Sequence, residues 1–514
     1  MSKITKIPSE IRNFFTGKRI NPAFSKFMTL LEGMRITDKD LGGKKRENCQ
    51  LTNLQLFQII LILPFMAVPG FSHYAESSIS KLFGGKKDIL YSFMAKDNID
   101  WRSIIQRIVC HLIKAVTIRK DFQKSHLPAV LIVDDSDLPK TGLRMESIGM
   151  IFSHVFQRCI LGYKLLAMCW SDGRSQFVVD FSIHGEKGKT DGKEQGLTAR
   201  QRERRYNRKR DSDCQTEKRK EEYFVSKLER LKSMVKDAIR HHIPFDYLLV
   251  DSWFVCTDLV DFVYRSHKKF HLLGMAKMGN TKYRTKSTDE LTAKAILNGL
   301  KKSKSVKYSR RYRCHHSTVD VTIGGRKVRL FFCRRGKNEK WRLLLTTDLS
   351  IDFMRAYEIY AMRWSIEVFF SDAKRLLDLA GCSARDFSSQ IAHVSMVVIR
   401  YNILALIKRS DDYESIGGLF ADIYEGVHEL TVVEKIWSII IDVIAIVAEI
   451  FTIDENELME QIIRDNRRLK AMQLIAQNLN PKLENIILGQ FLYGSEKRVG
   501  TTCAKWRVKR EMVH

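Results

Sequence analysis

At 514 residues the chain is long enough for two to four domains with cores of their own, and 44% hydrophobic with 28% charged residues is the composition of a soluble globular protein. Lys and Arg number 87 against 59 Asp and Glu, a net charge of +28, and that excess points to a polyanion, most simply nucleic acid. A ribosomal or membrane-surface protein would share the charge but would not need carboxylates at the ends of apolar strands, and ten Cys without a CxxC pair or a preceding signal peptide suggest reduced thiols in a cytosolic compartment.

Residues 1–125 are expected to be mostly helical. Asn21 and Pro22 open an amphipathic segment to Met34, Thr52 opens an apolar helix over Leu54–Leu63 that Pro64 ends, and Trp101–Ile118 reads as a clear helix. A short helix–turn–helix passage is expected over Gly70–Phe83, with Ser77–Leu82 as its second piece. Lys81, Lys86, Lys87 and Lys96 make this region cationic, a candidate for DNA-end binding. Leu56–Val68 and Ile436–Phe451 are apolar but short or interrupted by Pro or acids, so we expect no membrane span.

From Pro128 the pattern changes. Ala129–Val133 is an apolar run ending in Asp134-Asp135-Ser136-Asp137, a strand buried on both faces that finishes in carboxylates. Two strands, Cys159–Trp170 and Gln176–Ile183, follow around the turn at Ser171-Asp172-Gly173 and should pair antiparallel. A polar stretch carries Arg200, Arg202, Arg204, Arg205, Arg208, Lys209 and Arg210, either a phosphate-contacting cluster or a solvated face. After the amphipathic helix Tyr223–His241, the strand Asp246–Val250 ends in Asp251, repeating the earlier design. Each Asp taken singly could be a helix cap. Carboxyl ends of parallel strands are, however, where sites form in open α/β sheets.

The strand Phe270–Met275 precedes a β-rich, basic module over residues 276–349. It contains a hairpin across Gly324-Gly325, Arg310, Arg311, Arg313, Arg326, Arg334 and Arg335, and a strand starting at Trp341. Then Tyr360–Lys374, free of Pro and Gly, is expected to lie in one continuous helix from about Ile351 to Leu379. At 100° per residue, Tyr360, Arg363, Glu367 and Lys374 fall on one stripe roughly 60° wide. Read alone, the stripe also fits a surface helix with an Arg363–Glu367 i,i+4 pair. Another apolar helix is expected over Ser388–Lys408, a helical region to about Asn480, and a basic end at Lys497–Lys509.

Two acids at strand ends and one on a helix, with no Cys or His, suit Mg²⁺ or Mn²⁺, and two such ions would serve phosphodiester chemistry. The element order fits an α/β fold with an RNase H-like core. The spacing Tyr360-x2-Arg363-x3-Glu367-x6-Lys374 resembles the Y-R-E-K signature of DDE transposases of the insertion-sequence-four superfamily, and Asp134-Asp135-Ser136 resembles that family's D-x-T motif with Ser for Thr. The resemblance covers about residues 128–400. It implies an RNase H-like catalytic core (126–275 and 350–412) with an inserted β-rich subdomain (276–349), flanked by helical N-terminal (1–125) and C-terminal (413–514) regions. It implies Asp134, Asp251 and Glu367 as catalytic and metal-holding acids, with Asp135 competing with Asp134 for the first place. Tyr360, Arg363 and Lys374 would grip DNA, and Trp341 would stack on a flipped base or else be a core aromatic. The implied activity is cut-and-paste DNA transposition of a bacterial insertion sequence in the cytoplasm, by way of a hairpin intermediate. The implied partners are double-stranded DNA at terminal repeats and target, bridged by a homodimer. A DNA nuclease without strand transfer and a non-catalytic repressor remain as alternatives.

Overall fold

The computed structural model describes residues 22–43, 51–66, 70–76, 86–118, 125–190, 192–285, 289–336, 338–411 and 413–425. The chain divides into two compact units, Met1–Gly426 and Val427–His514, and only the first contains described residues. Asn21, the segment Ser77–Leu82 with Lys81, the apolar run Ile436–Phe451 and the basic stretch Lys497–Lys509 lie outside them.

The fold is mixed α/β around one large sheet. Its twelve described strands are β1 (Val130–Pro139), β2 (Gly149–Ser153), β3 (Arg158–Ser171), β4 (Gln176–His184), β5 (Tyr247–Val250), β6 (His271–Ala276), β7 (Lys282–Arg284), β8 (Glu290–Thr292), β9 (Lys307–Ser309), β10 (Cys314–Ile323), β11 (Arg326–Arg334) and β12 (Arg342–Thr346). The sheet runs β2-β3-β1-β5-β6-β12-β11-β10-β7-β8, with β4 on β3 and β9 on β10. β1 pairs antiparallel with β3, β3 antiparallel with β4, and β1, β5 and β6 are parallel neighbours. Val130–Val133 at the centre are fully buried, as an apolar run flanked by strands on both edges should be.

The β-rich module is not a separate layer. β12 pairs with β6 on one edge and with β11 on the other, so the strands of 276–349 extend the same sheet. Sequence order hides this, because the hydrogen bonds that join the module to β6 are made by its last strand.

Helices Trp101–Ile118 and Phe387–Ser410 both pack on β4, every residue of which is buried. Phe387–Ser410 is, among the described residues, the one helix long and apolar enough to cross a membrane, and nearly all of it is enclosed by the protein. Its buried Arg400 donates to the carbonyls of Leu61 (2.7 Å) and Ile60 (2.9 Å), satisfying the open end of the helix Asn53–Ile62. That helix begins as its sequence predicts, with a reciprocal Thr52–Gln55 capping box.

A second cluster of charges ties the N-terminal helices to the sheet. Asp180 on β4 accepts from Arg102 (2.9 Å) and Arg230 (2.7 Å), and Glu222 accepts from Arg102 (2.7 Å). Burial alone would raise the Asp180 carboxyl, but Arg102, Arg230 and Arg219 more than offset it and hold the group below the usual range. The basic run at 200–210 turns partly inward in the same way. Arg210 pairs with Glu146 (2.5 Å) and Asp97 (2.6 Å), Arg208 with Asp97 (2.9 Å) and Asp386 (3.3 Å), and Arg205 donates to Gln195. Arg200, Arg204 and Lys209 stay exposed. Three of the seven residues of the expected phosphate-contacting cluster are therefore tied to partners within the chain.

Candidate functional site

The register of the parallel strands builds the site. Val133 of β1 lies level with Val250 of β5, so the next residues, Asp134 and Asp251, stand side by side where the two strands end their pairing. Adjacent strands are about 4.8 Å apart, which brings the two carboxylates together. Asp251 also accepts from the Trp253 backbone N–H at 3.0 Å, which closes a tight turn directly after β5. Gly274 of β6, level with Val250, makes room for that turn: a Cβ there would lie 2.5 Å from Val255 Cγ2 and 2.9 Å from Val250 Cγ2.

The expected single helix is two. Phe353–Ala361 and Trp364–Leu376 meet at Met362 and Arg363. The dihedrals there stay helical, but the N–H groups of Met362, Arg363, Ser365 and Ile366 bond to carbonyls three residues back, so the turn is tightened. Asp352 caps the first helix by accepting from the Arg355 N–H at 2.8 Å. No Pro or Gly marks the break, so composition could not show it.

Despite the break, the four signature positions converge on the strand ends. The Tyr360 hydroxyl donates to the Val250 carbonyl at 3.4 Å, and burial first, then Asp251, pushes its pKa up to about 12 against the pull of Arg363. Arg363 donates to Asp134 Oδ2 at 3.1 Å and to Glu367 Oε1, standing between the two acids. Lys374 donates to Ser136 Oγ at 2.7 Å. Asp134 and Ser136 are two apart on β1 and so share the face toward this helix.

Asp135 points the other way. Its carboxylate meets Lys227 at 2.9 Å and the buried Lys164 at 3.9 Å, while Lys164 also pairs with Asp137 at 2.5 Å. Neither lysine has a sequence signal that would link it to the acids. The two neighbouring aspartates thus have different electrostatic settings. Burial pushes the Asp134 carboxyl up to about 7, the Asp135 amide and Arg363 pull against the rise, and the Asp251 and Asp135 carboxylates add to it.

Trp341 is not gathered with the acids. It precedes β12 at the edge of the sheet where β1, β5 and β6 end, four residues or about 13 Å past the level of Val250 and two strands or about 10 Å across. Its ring lies 5.1 Å from the Arg334 guanidinium and 5.4 Å from the Lys301 ammonium, and its buried Nε1 has no hydrogen-bond partner. Two tryptophans that flank the acids in sequence are the more exposed ones: Trp253 at 49% and Trp364 at 63%.

Among the described residues no three His, Cys, Asp or Glu side chains stand close enough to hold a metal ion as they are. The Arg363 guanidinium bridges two of the expected acids, Asp134 and Glu367. The donor set nevertheless fits a hard cation: oxygen ligands only, a carboxyl whose charge burial penalises, and a guanidinium already acting as the counter-cation. Asp134 and Asp251 could hold such an ion, and Glu367 could join them once Arg363 swings aside.

No family model matches the chain, and no curated protein matches it. Among solved structures it is similar to a chain in the cryo-EM structure of a piggyBac transposase synaptic complex with hairpin DNA, at 13% identity and a TM-score of 0.39, covering 78% of each chain. It is also similar to the NurA nuclease from Sulfolobus solfataricus, at 8% identity and a TM-score of 0.23, covering 50% of this chain and 81% of that one. Likenesses at these scores carry no weight for the function of this chain, which rests on the site itself.

Proposed function

We propose that this protein is a DDE-type transposase that cuts and rejoins double-stranded DNA, with Asp134, Asp251 and Glu367 as its catalytic acids. The observation that carries the reading is the alignment of Asp134 with Asp251 on neighbouring parallel strands, with Glu367 joined to Asp134 through Arg363. The strand order β4-β3-β1-β5-β6, with its first two members antiparallel and the last three parallel, supports an RNase H-like core. The net charge of +28 supports a polyanionic substrate.

Two Mg²⁺ or Mn²⁺ ions bound by these acids would activate a water or 3′-hydroxyl and stabilise the leaving oxygen. The chain's own residues supply the rest. Arg363, withdrawn from Asp134 and Glu367, places a planar guanidinium on a phosphate next to the acids. Lys374 supplies a point charge to the neighbouring phosphate from the Ser136 side. Tyr360 braces the Val250 carbonyl and so sets the direction of the Asp251 turn. Asp135 stays paired with Lys227 and takes no part in holding metal. The finer reading is cut-and-paste movement of an insertion sequence by a homodimer in the cytoplasm, with a hairpin intermediate, Trp341 stacking on a flipped base, and strand transfer to target DNA.

The test is cleavage of DNA carrying the flanking terminal repeats in Mg²⁺ or Mn²⁺. Asp134→Ala, Asp251→Ala and Glu367→Ala should each lose at least about 100-fold in rate while still binding DNA, and Asp135→Ala should keep much more of it. Cleavage without joining would favour the nuclease alternative. Binding without cleavage in any metal would favour the repressor.

A further inference from the structure

Three guanidinium groups share two carboxylates where the helices pack on β4. Arg102 and Arg230 each reach both Asp180 and Glu222, whereas Arg219 reaches only Glu222, at 3.6 Å. The Arg219 side chain is 8% exposed. Its Nη2 donates to the Phe181 carbonyl at 2.7 Å, but its buried Nη1 has no hydrogen-bond partner. The cluster thus holds one cation more than it has acids. Burial first, then Arg102, pushes the Arg219 pKa down to about 10 against the pull of Glu222 and Asp180.

Arg219 lines a cavity of about 240 Å³ between the helices Trp101–Ile118, Gln215–Glu221, Lys227–Arg240 and Phe387–Ser410. Gln106 lines it too, 5% exposed, and its carboxamide makes no hydrogen bond among the described residues. Lys218 and Arg240 line it from exposed positions, and Lys96 and Arg102 bring its cations to five against two acids, Asp100 and Asp237. Both acids are already engaged, Asp100 by the Ser103 hydroxyl at 2.6 Å and Asp237 by Arg240 at 2.9 Å.

A cavity with buried donors lacking acceptors, and with more cations than acids, is complementary to an oxyanion. A carboxylate would bring one charge and two oxygens, whereas a phosphate brings about two charges and at least three acceptor oxygens. Size sets the rest: the volume is below the roughly 300 Å³ at which sites for drug-sized ligands begin. Gln106 and Arg219 are more than nine-tenths buried, beyond the reach of a phosphate fixed in a duplex backbone, so the group must arrive on a free molecule. We propose that this cavity binds a small phosphate-bearing molecule, with Arg219 and Gln106 as donors to the phosphate and Lys218 and Arg240 at its entrance. The site is separate from the strand-end acids. Asp180 lies level with Met168 and Met168 with Val133, so the arginine cluster is anchored two strands, about 10 Å, across the sheet from β1. The inference does not rest on the DNA-cutting function.

Calorimetric titration of the full chain with inorganic phosphate, in a chelator and at constant ionic strength, tests it, with acetate as the contrasting anion. Wild type should show one saturable phosphate site and bind acetate at least about 10-fold more weakly. Gln106→Leu and Arg219→Met should each weaken phosphate by about 10-fold or more, with the thermal midpoint of the ligand-free protein unchanged or raised. Lys374→Ala, at the strand ends, should leave phosphate binding intact. No saturable site, binding that Gln106→Leu and Arg219→Met leave unchanged, or loss of binding in Lys374→Ala overturns the proposal. Acetate bound as tightly as phosphate overturns the ligand class. A short DNA duplex that displaces phosphate from the wild type overturns the free molecule as its source and assigns the group to the DNA backbone.

Discussion

Asp134→Asn should make the metal-free protein more stable at neutral and alkaline pH. Burial drives the Asp134 carboxyl from 3.8 to about 7, with Asp251 adding to the rise. A shift of that size is on the order of 4 kcal/mol of preference for the protonated form in the folded state. The sign follows from proton counting: between these two values the native state holds a proton that the unfolded chain has released, so stability falls as pH rises. The penalty is absent below about pH 4, grows through the window, and is complete above about pH 7. Asn cannot ionise. In a chelator at about pH 8 the variant should exceed wild type by on the order of 1–4 kcal/mol, the lower figure allowing for the lost ion pair with Arg363, and at about pH 4 the gain should vanish. Denaturant unfolding at both pH values measures it. Adding Mg²⁺ should then stabilise wild type and leave the variant unmoved. A variant less stable than wild type at pH 8, or a difference that ignores pH, would refute the account of the acid pair as a site held at a cost.

Three further perturbations test the frame around the site. Asp180→Ala removes the buried carboxylate that Arg102 and Arg230 share, leaving Glu222 as their remaining acid, and should cost about 3–5 kcal/mol in a denaturation midpoint, with Asp180→Asn between it and wild type. Gly274→Ala forces a methyl group to 2.5 Å from Val255 Cγ2, and should destabilise by about 1–3 kcal/mol while displacing the Asp251 turn, seen as weaker Mg²⁺ binding by calorimetry. Thr52→Ala removes the capping box of the helix Asn53–Ile62 and should cost about 1 kcal/mol, read as a lower thermal midpoint.

Local signals were legible wherever one short stretch contains all of the physics. The buried run Val130–Val133, the Thr52 cap and the hairpin at Gly324-Gly325 are of this kind, because periodicity, capping and turn geometry act within a few residues. The convergence of Tyr360, Arg363, Glu367 and Lys374 survived even though the helix that was to carry them is broken, because a turn bonded three residues back keeps helical dihedrals and changes phase only slightly. Charge was read less well. The run at 200–210 looks uniform in sequence, yet Arg205, Arg208 and Arg210 face partners from distant positions and Arg200, Arg204 and Lys209 face water.

By itself, then, the sequence determined which carboxylates follow the buried runs of β1 and β5, although β1 itself continues through Asp134 to Pro139 along β3, and which helix positions lie on their side, the latter following from a period of about 3.6. The tertiary structure alone decided that Asp134 meets Asp251 and Arg363 while Asp135 meets Lys227, and that the β-rich module continues the sheet through β12. The physical reason is the same in each case: strand register and ion pairing join residues tens to hundreds of positions apart, and nothing local to either partner records the other.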